Sequence, residues 1–199
     1  MTGKFWNIDV SQEHSDWSLV ENIKTGDDRA FDALMERYKR PMMSFVCRLI
    51  GDAAEAEDVT QEVFVRAYRS IRAAHVRQTT GQFSTWLFQV ARNAALDCLR
   101  RRKRHPAESL AAMDDKGEST VGPGRTPHQE SASRETGEQI AAAVALLPED
   151  QRTALILSEY EGLSYAEISA VLKCSQKSVE SRLYRARQFL RTRLAHLLP

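Results

Sequence analysis

Cysteine is scarce in this chain: Cys47, Cys98 and Cys174 are the only three, far apart and each set in an apolar helical context. An odd count without a CxxC spacing points away from a disulfide framework and from a thiolate zinc site, and towards buried free thiols in a reducing compartment. The histidines do not cluster with them in sequence, so neither a metal nor a cofactor is expected. No apolar run approaches the ~20 residues of a membrane span. The N-terminal stretch lacks an uninterrupted apolar segment, so no signal peptide is expected and the chain is placed in the cytoplasm. No nucleophile beside a base and no phosphate-cradling loop stands out, so the chain is not read as an enzyme. An excess of one charge sign is missing as well: 28 Lys and Arg face 27 Asp and Glu, for a net charge of +1. With 42% hydrophobic and 28% charged residues, the composition is that of an ordinary globular protein, long enough for one domain or two.

What is present is segregation along the chain. Arg100 to Arg104 is an unbroken basic run. From Lys177 to Arg193 only Glu180 stands against six bases, whereas Asp52 to Glu62 is acidic. Opposed local fields of this kind suit a protein that touches both nucleic acid and another protein.

Gly162 to Leu190 carries the clearest pattern. Ser164 and Glu167 form a capping box ahead of a short apolar helix. Lys173-Cys174-Ser175 breaks that helix, and Ser175 is placed to cap a second. In the second, Val179, Leu183 and Ala186 make an inward stripe, while Lys177, Arg182, Arg185 and Arg187 project elsewhere. Two short helices around a tight turn, the second rich in Arg and Ser, form a helix-turn-helix pattern. Gln176, Lys177, Ser178 and Ser181 would then lie near the bases of a major groove. A helical hairpin whose arginines merely solvate a surface has the same spacing.

Upstream, helical periodicity runs from Asp16 to Ile50. Leu19, Val20 and Ile23 share a face before Gly26 stops the helix. Asp27 or Asp28 then caps the next, with Phe31, Leu34, Met35 and Tyr38 spaced for burial. Pro41 fits a first helical turn and so predicts another helix start, followed by Met42, Phe45, Val46, Leu49 and Ile50. From Asp52 to Ile71, Val59, Val63 and Ala67 face inward and Asp58, Gln61 and Glu62 gather on the outside. That acidic turn is either a docking surface for a basic helix or a favourable charge near a helix start. His75 to Gly81 is a polar loop. In the following helix, Phe83 to Arg104, Leu87, Val90, Ala91, Ala94 and Cys98 trace the buried stripe. Phe83, Trp86 and Phe88 beside a polar loop and a basic helix end suit single-stranded DNA, although core packing is the better reading of Trp86 and Phe88. Residues 106–134 lose periodicity and gather Gly and Pro, as a linker does.

In these residues the chain resembles the extracytoplasmic-function (ECF) sigma factors, a branch of the bacterial RNA polymerase sigma family. The resemblance rests on GDDRAFDALMERY, DAAEAEDVTQEVFVRAY and FSTWLFQVARNAALDCLRRRKR in the first half, and on LPEDQRTALILSEYEGLSYAEISAVL and SVESRLYRAR in the second. It implies an all-α fold of two helical domains joined by a flexible linker. They would be an N-terminal extension at 1–15, a sigma region 2 bundle at 16–105, the linker at 106–134 and a region 4 helix-turn-helix domain at 135–199.

The same resemblance gives each patch an expected role. Asp58, Gln61 and Glu62 would grip the clamp helices of the polymerase β′ subunit. Arg77, Gln78, Thr79 and Thr80, with Phe83, Ser84 and Thr85, would capture a flipped base of the −10 promoter element. Arg92, Asn93, Arg100 and Lys103 would hold its backbone or duplex edge. Gln176, Lys177, Ser178, Ser181, Arg182 and Arg185 would bind the −35 element. Expected partners are the polymerase core, through the β′ clamp helices and the β flap, and promoter DNA, with room for an anti-sigma factor. The family usually has Gly at Lys173, Gly-Thr at Lys177-Ser178, and Lys or Arg at Glu180; a carboxylate at that last position repels phosphate but can accept from a cytosine amine. Two rivals remain: an autonomous regulator using only the helix-turn-helix, and an anti-sigma-like scaffold.

Overall fold

The computed structural model describes residues 10–78, 81–104 and 127–197, the side chains of 10–15 and 127–134 excepted. The described residues form eight α-helices and one short 3-10 turn, with no strand. In chain order the helices are α1 (Val10–Thr25), α2 (Asp28–Ile50), α3 (Ala53–Arg72) and α4 (Phe83–Arg104), then α5 (Pro127–Ala145), α6 (Glu149–Glu159), α7 (Tyr165–Leu172) and α8 (Gln176–Arg193). Thus α1 begins inside the stretch read as an extension, and α5 begins inside the stretch read as a linker. The rest of those stretches lies outside the described residues, as do Thr79 and Thr80.

The helix boundaries follow local chemistry. Gly26 adopts φ 106°, a left-handed conformation that ends α1. Asp27 then caps α2 by accepting from the Arg29 backbone N–H at 3.1 Å. Asp52 caps α3 in the same way from Glu55, at 2.9 Å.

Pro41 starts no new helix. It lies buried within one continuous α2, a correction to the reading of a helix start there. An interior proline removes a hydrogen bond and costs about 3 kcal/mol. Here Leu34 and Tyr38 before it, and Met42, Phe45 and Leu49 after it, lie on one fully buried stripe, so burial of both halves on the same core offsets that cost.

The stripes of α1 to α4 meet in a core rich in aromatic edges. Phe45 and Phe88 pack edge to face at 5.3 Å, and Phe83 meets Tyr38 at 5.7 Å and Trp17 at 6.0 Å. Asp16 is buried midway along α1, where it accepts from the Tyr38 hydroxyl at 2.5 Å and pairs with Arg37. Burial raises its carboxyl pKa in spite of both partners.

In the second group, α7 is closed by the expected capping box. The Glu167 carboxylate accepts from the Ser164 N–H at 2.6 Å, and the Ser164 hydroxyl accepts from the Glu167 N–H at 3.3 Å. Lys173 ends α7 in the left-handed region, φ 51° and ψ 47°. For a residue with a Cβ that conformation costs roughly 1–2 kcal/mol. Lys173→Gly is therefore expected to stabilise the protein by about 1 kcal/mol. Thermal denaturation checks this; an unchanged or lower melting temperature would mean that the Lys173 side chain makes a contact worth as much.

The two helical groups do not stand apart. One apolar cluster runs from the α1–α4 core into Ile156, Leu157, Ile168, Val171, Val179 and Leu183. Helix α2 packs on α6, and α4 packs on α7.

Candidate nucleic-acid interface

Helix α8 is the more open surface. Ser175 caps it, accepting from the Ser178 N–H at 3.2 Å, and Val179, Leu183 and Ala186 face the core. That anchoring turns Gln176, Lys177, Glu180, Ser181 and Arg185 to solvent, with Ser178 half-buried. Arg182 is placed differently. Its guanidinium folds back to the Asp150 carboxylate at 2.8 Å and donates to the Cys174 sulfur at 2.9 Å. Arg187 is also engaged, with Glu159 at 2.7 Å.

Helix α4 and its preceding loop carry the residues expected to hold unpaired DNA. Arg77 and Gln78 are exposed. Phe83, Ser84 and Thr85 are buried, Phe83 wedged among Trp17, Tyr38 and Trp86. Phe88 is core and Trp86 half-buried. Asn93 and Arg100 are exposed, Arg100 bonded to Asp97 at 3.2 Å, and Lys103 reaches Glu149 at 3.4 Å. Arg92 is mostly covered and bonds Asp150 at 2.7 Å. The basic run is thus divided in use, because Arg102 turns inward to Glu55 and the Ile50 carbonyl, tying the end of α4 to the start of α3.

On α3 the acidic residues separate into two sets. Asp52 and Glu55 serve the helix start and the Arg102 contact. Asp58, Gln61 and Glu62 lie beyond the first turn, where a helix-end dipole has little hold. Asp58 and Gln61 are exposed with no hydrogen bond or ion pair among the described residues, and Glu62 pairs with Arg66 at 2.7 Å. The docking reading of that face gains by this division.

Sequence reasoning missed Asp150 and Arg152. Asp150, an acid in the first turn of α6, joins α4 to α8 through two arginines. Arg152 is half-buried and donates to the carbonyls of Leu49 and Leu147, both at 3.1 Å, and to that of Ala145. Burial lowers its pKa. The LPEDQR stretch held the only signal, a charged run set between two apolar helices. Burial raises the thiol pKa of both Cys47 and Cys98, in keeping with structural rather than reactive cysteines. Among the described residues no His, Cys, Asp and Glu group fits a metal ion, and no helix is long and apolar enough to cross a membrane.

Comparison with known proteins matches residues 34–105 to Sigma-70 region 2 and residues 137–190 to Sigma-70, region 4. The chain is 36% identical over 190 residues to the RNA polymerase sigma-H factor of Pseudomonas aeruginosa, covering 94% of this chain and 97% of that one. It is 32% identical over 193 residues to the ECF RNA polymerase sigma-E factor of Escherichia coli, covering 95% and 99%. Among solved structures, CnrH in complex with the cytosolic domain of CnrY superposes with a TM-score of 0.68 at 24% identity, covering 92% of this chain and 98% of that one. The sigma factor RpoE of Bartonella quintana, in complex with the anti-sigma factor NepR, gives 0.63 at 23% identity, covering 83% and 96%.

Proposed function

The chain belongs to the extracytoplasmic-function branch of the sigma-70 family, and on that premise we propose how its two helical groups divide the work. As a sigma factor it binds the RNA polymerase core, recognises the −35 and −10 promoter elements and promotes melting for transcription initiation. It is an initiation factor, acting by binding in the cytoplasm and breaking no covalent bond.

In the front group, Asp58, Gln61 and Glu62 grip the β′ clamp helices. The loop carrying Arg77 to Thr80, with Phe83, Ser84 and Thr85, takes the flipped −10 base. Arg92, Asn93, Arg100 and Lys103 hold the adjoining backbone. In the rear group, Gln176, Lys177, Ser178 and Ser181 face the −35 bases, and Arg182 and Arg185 hold phosphate. An unstacking cost of a few kcal/mol per flipped base is offset by trapping it. The solved RpoE of Bartonella quintana is in complex with the anti-sigma factor NepR, and an equivalent inhibitor belongs to the proposal for this chain.

The observation that carries the reading is the outer face of α3: Asp58 and Gln61 are exposed there without a partner among the described residues, ready for a partner that a DNA-only regulator would not need. Pull-down with purified core polymerase tests it. A stable complex is expected; a protein that binds duplex DNA but leaves core polymerase in the flow-through would be an autonomous regulator.

A further inference from the structure

Arg92 and Arg182 belong to different helical groups, and in the proposed function they hold different promoter elements. In this structure they share one carboxylate. Asp150 Oδ1 accepts from Arg92 at 2.7 Å, and Asp150 Oδ2 pairs with Arg182 at 2.8 Å. Their targets, about 25 base pairs apart, lie about 85 Å apart along the duplex at ~3.4 Å per base pair. Two guanidinium groups on one carboxylate cannot reach both. Promoter binding therefore requires this clasp to part.

An apolar cluster also joins the two groups, and several of the polar contacts across that interface are long. Gln89 donates to the Ala170 carbonyl at a long 3.5 Å, Lys103 reaches Glu149 at 3.4 Å, and the Ser44 hydroxyl reaches Glu161 at 3.3 Å. The Nε atoms of Arg92 and Arg152 are buried with no hydrogen-bond partner. Orphan donors of this kind penalise the closed state and would be relieved on opening.

We propose that Asp150 is a latch: it holds the free protein closed by occupying one arginine from each DNA-binding surface, and DNA phosphates displace it when the groups part. This rests on the reading of Arg92 and Arg182 as DNA contacts. Meanwhile Asp58 and Gln61 stay exposed in the closed form, so the polymerase can engage before the latch opens.

The test compares Asp150→Asn and Asp150→Ser, both suited to a first helical turn, with Glu135→Gln, which removes the same charge from an exposed site on α5. Binding of a fluorescent 30-base-pair duplex of mixed sequence is measured without polymerase, alongside the radius of gyration by X-ray scattering. Both Asp150 variants are expected to bind roughly five-fold tighter than the Glu135 control, in line with two partly screened ion pairs released, and to have a larger radius of gyration. Equal affinity of the Asp150 variants and the control overturns the latch, whatever their size. Because no polymerase is present, that outcome is separate from a failed pull-down, which would overturn the sigma-factor assignments instead.

Discussion

Replacing Asp58 and Glu62 together by Ala is expected to weaken association with core polymerase by ten- to a hundred-fold, about 1.4–2.8 kcal/mol, a usual size for two residues at the centre of an interface. The fold should hardly notice. Among the described residues Asp58 has no partner and Glu62 only an exposed pair with Arg66 four residues on, which is worth about 0.3–0.5 kcal/mol. Competition binding against a labelled sigma factor reads the affinity, and thermal denaturation reads the fold. Unchanged affinity would remove the clamp assignment. A large drop in melting temperature would instead mean that these side chains hold the helix, which their exposure argues against.

The second large effect is expected on α8. Lys177 and Arg185 are exposed and make no ion pair or hydrogen bond within the described residues, so both are free to meet phosphate. Lys177→Ala with Arg185→Ala should lower duplex affinity by ten- to a hundred-fold. The slope of log affinity against log salt should fall in magnitude by about 1.8, since each neutralised phosphate contributes about 0.9. Salt titration of duplex binding measures it. A slope equal to the wild type would show that neither side chain contacts the backbone. Arg187 offers a contrast, because Glu159 already holds it at 2.7 Å.

The helices were legible wherever a local rule acts alone. The Ser164–Glu167 box, the Ser175 cap and the Gly26 stop all depend on groups within a few residues, and each stands where the spacing placed it. Pro41 was misread for the opposite reason. Proline chemistry favours a helix start, but the stripe from Leu34 to Leu49 buries both sides against one core, and tertiary packing outweighs the local preference. Phe83 illustrates the limit for sites. Its composition suits base stacking, while its contacts with Trp17 and Tyr38 come from helices far away in sequence. The role of Asp150 was not legible beyond the charged LPEDQR run, because it depends on two arginines, Arg92 and Arg182, that only the folded chain brings to one carboxylate.

The account depends on one group of helices gripping the polymerase and holding a separated strand while the other reads paired DNA. Permanganate footprinting of unpaired thymines addresses it most directly, using core polymerase, this protein and a library of candidate promoters. Strand opening near the start site that requires this protein, and that the Asp58 and Glu62 double substitution abolishes, is the expected result. Promoters bound by the protein yet never opened with core polymerase present would contradict it.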